Sequence, residues 1–284
     1  MRAVWETMRP RQWAKNALLL AAPLFAGALG QRAAWQHALL AAAAFCLLSS
    51  SIYIANDLTD LEHDRNHPKK RLRPLAADRL TPRAAQLYGL LLATAAMAAA
   101  LRLGPAFTAA AAAYVALQAA YSLRLKHVVI LDACAVAAGF VLRAAAGAAA
   151  AAVAASPWFL LTTSALALFL SLGKRRHELA LLRADAGGHR RVLAEYSPQL
   201  LDQLIATAAA ITVAFYTLWA FYGRTDLHLM ATVPFVLYGL LRYLYLIYQQ
   251  DVAGQPEVAL LSDTHTLGTA ALWAVAVIWA IYWR

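Results

Sequence analysis

Nine apolar stretches of useful length, read as membrane spans, leave this chain little freedom of fold. They run over residues 17–30, 37–55, 84–101, 105–122, 129–148, 156–172, 200–222, 228–248 and 265–283. The hydrocarbon interior of a bilayer offers the backbone no hydrogen-bond partners, so a spanning segment must pair its own donors and acceptors, as a helix of roughly 20 apolar residues does. With 62% hydrophobic and 14% charged residues in 284, the expectation is an all-α polytopic membrane protein, one domain over 1–284. Residues 1–16 form a short interfacial lead-in with Trp5 and Trp13 as anchors. Cys46 and Cys134 sit inside apolar stretches without ligand or redox spacing and read as small hydrophobes. No cleavable signal peptide is evident.

The net charge of +10 does not point to nucleic acid, because of where the charges lie. With the N-terminus placed in the cytoplasm, nineteen of the 25 Lys and Arg residues fall on the inner side. Four fall outside (Arg32, Arg102, Arg224, Arg284), and Arg143 and Arg242 lie within spans. That bias orients the chain by the positive-inside rule. Of the 15 acidic residues only Asp226 falls in an outer loop. Carboxylates weigh little in topology, so their segregation calls for chemistry on the cytoplasmic face.

Two inner connections are long, 56–83 and 173–199, and are read as substrate loops. Their spacing suggests two similar four-helix halves followed by a ninth span. The first loop opens Asn56-Asp57-Leu58-Thr59-Asp60-Leu61-Glu62-His63-Asp64. On a helix Asn56, Asp60 and Asp64 are spaced i, i+4, i+8, and Asp57 neighbours Asp60, so the four share a face. Oxygen donors crowded there repel one another unless a hard cation lies between them; such donors suit Mg²⁺, and Mg²⁺ suits phosphates. Lys70, Arg71 and Arg73 follow between Pro68 and Pro74, where guanidinium groups can grip phosphate in bidentate fashion. The plainer alternatives are a solvated acidic helix end and a lipid-headgroup contact.

The second loop opens Gly173-Lys174-Arg175-Arg176-His177-Glu178, with Asp185 seven residues beyond Glu178 and Tyr196 after the Gly187-Gly188 break. Facing the first loop across a cavity, it would supply a second ion site; otherwise it is an ordinary positive-inside loop. Span five carries Asp132, Gly139 and Arg143 on one stripe. Arg143 lies eleven residues along from Asp132, about 16 Å into the bilayer, where a charge needs a polar cavity or a partner unless it snorkels outward. Tyr121 and Lys126 stand at the inner mouth before this span, Lys15 and Asn16 at the start of span one, and Asp263 in a third inner loop, 249–264. The stretch 144–155, nearly all Ala and Gly, reads as close helix packing and a turn. His63 and His67 flank Asp64, but oxygen donors outnumber nitrogen there, which favours Mg²⁺ over Zn²⁺.

These stretches together resemble the UbiA superfamily of intramembrane prenyltransferases. The resemblance rests on Arg9-Pro10-x-Gln12-Trp13-x-Lys15-Asn16, on Asn56 to Asp64 with the Pro68–Pro74 run, and on Tyr121-Ser122-x-x-Leu125-Lys126. It rests further on Gly139-Phe140-x-Leu142-Arg143 with Gly147, on Gly173-Lys174-Arg175-x-x-Glu178-Leu179, and on Leu260-Leu261-Ser262-Asp263. The superfamily often shows a second D-x-x-x-D motif after span six. Lys174-Arg175 with Glu178 and Asp185 stand there instead, which is closer to a branch that transfers phosphoribosyl groups to polyprenyl phosphates.

The resemblance implies nine transmembrane helices around a central lipid-accessible cavity capped by cytoplasmic loops, in a bacterial inner membrane. It implies Mg²⁺-dependent displacement of diphosphate from phosphoribosyl diphosphate by a polyprenyl phosphate. Metal ligands would be Asn56, Asp57, Asp60, Asp64, Glu178 and Asp185, with Asp57, Asp60 and Lys174 catalytic. Substrate would meet Lys15, Asn16, Lys70, Arg71, Arg73, Tyr121, Lys126, Arg143, Lys174, Arg175, Tyr196 and Asp263. Partners are the two substrates and membrane lipid, with no nucleic acid; a homo-oligomer stays open. A prenyl transfer to an aromatic acceptor and a lipid-phosphate transporter are the alternatives. The motif of CDP-alcohol phosphotransferases is absent.

Overall fold

In the computed structural model the residues described are 2–68, 70–184, 191–222, 227–249 and 262–282. Among them eight helices are long and apolar enough to cross a membrane. The helices are α1 (Arg2–Met8), α2 (Ala21–Phe25), α3 (Arg32–Thr59), α4 (Leu61–Arg65), α5 (Pro82–Leu103) and α6 (Pro105–Leu123). They continue as α7 (Leu131–Ala151), α8 (Pro157–Ala184), α9 (Pro198–Tyr222), α10 (Val233–Gln249) and α11 (Thr264–Tyr282). No strand occurs among the described residues.

The first expected span, 17–30, is the one that differs. Pro10–Leu20 is a 3-10 helix that passes directly into the short α2, and Gly27, at φ 76, ends the run. Pro10–Leu20 carries Arg11, Gln12, Lys15 and Asn16, and the apolar part, residues 17–25, reaches only about 15 Å at about 2.0 Å per 3-10 residue and about 1.5 Å per α-residue, so this segment is not among the eight candidate spans. Proline opens α5, α6, α8 and α9, where its missing N–H costs nothing. Thr81 caps α5 by accepting from the Ala84 amide.

The chain divides into two compact units, and the division passes through α7 rather than after the fourth span. One unit comprises Met1–Ser122 with Leu142–Ala154. Its core gathers Leu19, Phe45, Phe107 and Tyr114 with small residues such as Ala96, Ala111, Ala146 and Ala150. The Ala-rich stretch of α7 is buried there, and Gly147 lies where any Cβ would meet the carbonyl oxygen and Cα of Leu19. With lipid outside as apolar as the core inside, such close backbone approach supplies the packing. The second unit comprises Leu123–Val141 with Ala155–Arg284. Phe169, Leu172, Leu201, Ile205 and Tyr243 form its core between α8, α9 and α10.

Candidate functional site

In the first unit, α3 carries Asn56 and Asp57 past its last apolar turn and ends at Thr59, so the block does not continue on the single helix that its spacing predicts. The chain bends at Asp60 (φ −92, ψ 7) and resumes as α4, the Asp64 amide still donating to the Asp60 carbonyl. Asp57 and Asp64 are buried, Asn56 and Asp60 half-buried. The basic run folds back over them. Arg73 Nη1 lies 3.1 Å from Asp57 Oδ1 and 2.5 Å from Asp64 Oδ2. Lys70 Nζ is 3.6 Å from Asp64 Oδ1. Arg9 reaches the same Asp57 oxygen with Nη2 at 2.5 Å and lies over the Tyr53 ring. Asn56 accepts from the Ser122 hydroxyl at 2.9 Å. Asp60 makes no side-chain hydrogen bond or ion pair among the described residues. Arg71 points to solvent.

Arg9, outside the set of candidates named from sequence, is placed by an unusual backbone. It adopts the left-handed region (φ 53, ψ 60), uncommon for a side-chain-bearing residue, immediately before Pro10. Its one sequence signal is membership of the Arg9-Pro10-x-Gln12-Trp13 stretch. On α1, Glu6 pairs with Arg79 at 2.7 Å, and that hydrogen bond holds its carboxyl below the usual range. This ties the lead-in to the end of the basic loop.

Deeper in the same unit a second polar group is assembled. Asn16 donates to Ser49 and to the Cys46 sulfur, each at 3.3 Å, and accepts from Arg143 Nε at 2.9 Å. Arg143 also donates to the Tyr114 hydroxyl at 2.7 Å, its guanidinium 4.7 Å from that ring's centre. The intramembrane charge is therefore buried against partners rather than snorkelling. Lys15 and Tyr121 are half-buried.

In the second unit α8 continues through the charged segment, so Lys174 and Glu178 stand on one helix. Lys174 is exposed, whereas Arg175 is buried. Arg175 donates through Nε to Asp132 Oδ2 (2.5 Å) and through Nη1 to Glu178 Oε2 (2.7 Å). Tyr196 donates to Asp132 Oδ1 and accepts from the Ile130 amide, both at 2.7 Å. Burial and the bond to Asp132 push the Tyr196 phenol well above its ordinary value, so it stays a donor. Ile130, β-branched yet at φ 69, is a backbone outlier held at this junction. Asp132, also outside the candidate set, is thus the hub of this group. Lys126 lies half-buried on a 3-10 turn, 125–127. Asp263 caps α11 through the Thr266 amide and pairs with both ends of the Arg242 guanidinium; the Arg242 hydrogen bond holds its carboxyl well below the usual range. Asp185, Leu260 and Leu261 lie outside the described residues.

The donor set of the first unit fits a divalent cation in chemistry. Asp64 Oδ1 is buried with no hydrogen bond, and Asp60 adds a second carboxylate one turn away. Asp57 Oδ1 and Asp64 Oδ2 are shared with guanidinium groups. Among the described residues no three His, Cys, Asp or Glu side chains converge tightly enough to enclose an ion by themselves. A metal here would complete its shell with oxygens from elsewhere, as Mg²⁺ commonly does.

The sequence profile of the UbiA prenyltransferase family matches residues 17–261. Decaprenyl-phosphate phosphoribosyltransferase of Corynebacterium glutamicum is 37% identical over 98% of this chain and 86% of its own length. The Mycolicibacterium smegmatis protein of the same name is 36% identical over 91% of this chain and 86% of its own. Among solved structures, a UbiA homolog from Archaeoglobus fulgidus bound to GPP and Mg²⁺ superposes with a TM-score of 0.75 at 20% identity, covering 98% of this chain and 99% of that one. The same homolog bound to DMAPP and Mg²⁺ gives 0.74, covering 98% of each chain.

Proposed function

The chain belongs to the UbiA prenyltransferase family and is a multi-pass membrane transferase; on that premise we propose that it transfers a 5-phosphoribosyl group from phosphoribosyl diphosphate to a polyprenyl phosphate. The observation that carries this reading is the name shared by relatives 34–37% identical over more than nine-tenths of the chain. A phosphate oxygen of the lipid bonds to C1 of the ribose as the bond from C1 to the diphosphate oxygen breaks, and diphosphate leaves. The nucleophile is already anionic near neutral pH, so no strong general base is required.

Asn56, Asp57, Asp60 and Asp64 would hold Mg²⁺, which supplies charge neutralisation for the departing diphosphate. Arg9, Lys70 and Arg73 meet phosphate oxygens, and Arg71 and Lys15 extend that cationic rim. Lys174 and Lys126, in the second unit, are cations for phosphate, with Glu178 and Asp185 for a second ion or ribose hydroxyls. Asp132, Arg175 and Tyr196 hold Glu178 in place. Asn16, Arg143 and Tyr121 border the lipid substrate, and Asp263 fixes the start of α11. The active face is cytoplasmic in a bacterial inner membrane.

Purified protein given Mg²⁺, polyprenyl phosphate and ribose-labelled phosphoribosyl diphosphate should yield lipid-extractable label. Chelation should abolish it, and Asp60→Ala should lower it by about 100-fold or more, the scale of losing a principal charge stabiliser. Turnover only with a prenyl diphosphate and an aromatic acceptor would overturn the proposal.

A further inference from the structure

The acidic block is not an acidic site. One nitrogen, Arg73 Nη1, bridges two carboxylates seven residues apart, and Arg9 adds a second guanidinium to the shared Asp57 oxygen. Lys70 stands beside the remaining Asp64 oxygen. Arg9, Lys70 and Arg73 contact Asp57 and Asp64, and with Asp60, which makes no ion pair among the described residues, the block counts three carboxylates against three cations. Asp57 and Asp64 are only 3% and 1% exposed, so water screens them poorly. A bare divalent cation entering such a cluster gains little net attraction and is repelled by the guanidinium already lying between the two carboxylates. The balance changes when the cation arrives on a diphosphate. The metal can then meet Asp60 and the unbonded Asp64 Oδ1, while diphosphate oxygens take the guanidinium and ammonium donors.

We infer that Arg9, Lys70 and Arg73 neutralise the acidic block against free metal, so that cation and diphosphate bind as one unit, with Arg73 setting the coupling. This rests on the proposed role of the block as a diphosphate–metal site. The coupling is reciprocal: diphosphate raises metal affinity by the same factor that metal raises diphosphate affinity. Arg73 is here a positioning and gating group, beyond any direct contact with phosphate.

The test is Mn²⁺ binding to the purified full chain, followed by electron paramagnetic resonance with and without inorganic diphosphate. A protein-free titration gives the solution complex, and no turnover is involved. In the wild type, diphosphate should tighten Mn²⁺ binding by about tenfold or more, within the usual range of coupling between sites. Arg73→Gln leaves the cluster one charge negative, so free Mn²⁺ should bind about tenfold tighter and the diphosphate enhancement should shrink. Arg73→Lys, which keeps the charge, should stay near the wild type. Lys70→Gln, at a more exposed position, should repeat the sign of Arg73→Gln without disturbing the buried bridge. Equal Mn²⁺ affinity with and without diphosphate in the wild type would overturn the inference and leave the diphosphate–metal reading standing. Absence of Mn²⁺ binding under both conditions would overturn both.

Discussion

Arg143 shows how a single residue is made tolerable inside an apolar helix. It is 5% exposed, and its guanidinium donates to Asn16 Oδ1 and to the Tyr114 hydroxyl and lies over the Tyr114 ring. The distance along span five called for a polar cavity or a partner unless the side chain snorkelled outward, because an unpaired charge at that depth costs several kcal/mol. Which partner could not be read: Asn16 is 127 residues away in sequence, and its neighbourhood is set by the close approach of the 3-10 segment to α7. The pair should be energetically coupled. Asn16→Leu removes an acceptor from a buried cation and should destabilise the protein by about 1–3 kcal/mol. Once Arg143→Met is present the same change should cost less, by about 1 kcal/mol or more, because no cation is left to satisfy. Thermal unfolding of the two single variants and the double variant in detergent measures this; strict additivity would show that the contact carries no stability.

Elements were legible where one property decided them, and less so where two competed. The runs of apolar residues placed the eight long helices closely, and the continuation of α3 and α8 into their charged segments followed from unbroken helical spacing. The first span did not become a long α-helix: Pro23 sits inside it and Gly27 ends it at positive φ. The acidic block was legible as a cluster at a helix end, but not its break at Asp60, and the cations beside it come from Arg73 folding back and from Arg9 held at φ 53, neither of which periodicity encodes. Likewise the Asp132–Arg175–Tyr196 group joins residues up to 64 apart, and no local pattern pairs them. The Ala-Gly stretch of α7 carried more than composition alone tells. Gly147→Ala would press a methyl into the Leu19 backbone, which cannot give as a side chain can. It should cost about 1–3 kcal/mol. Gly268→Ala on α11, with nothing within 4 Å, should be neutral or stabilising by about 0.5–1 kcal/mol through helix propensity. The melting temperature should therefore fall for Gly147→Ala and hold or rise for Gly268→Ala, and a harmless Gly147→Ala would refute the close approach.

At the scale of the whole molecule, the distribution of charge ties fold to chemistry. On the nine-span reading, nineteen cationic side chains on one side and four on the other would orient the chain with both charged loops in the cytoplasm. The proposed donor is a phosphorylated sugar, available in the cytoplasm, so orientation is a condition of function rather than an incidental property. It can be tested without catalysis. In a Cys46→Ala, Cys134→Ala background, Arg102→Cys places a thiol near the end of α5, and Glu62→Cys places one on α4, where the wild-type carboxylate side chain is 89% exposed. Neither change weakens the bias, since Arg102 is one of the few outer cations and acids count for little. A membrane-impermeant maleimide should label Arg102→Cys in intact cells and Glu62→Cys only after lysis. The reverse pattern would place the Asp57–Asp64 cluster on the face without phosphoribosyl diphosphate. The phosphoribosyl reading would then fail, whatever the geometry of the carboxylates.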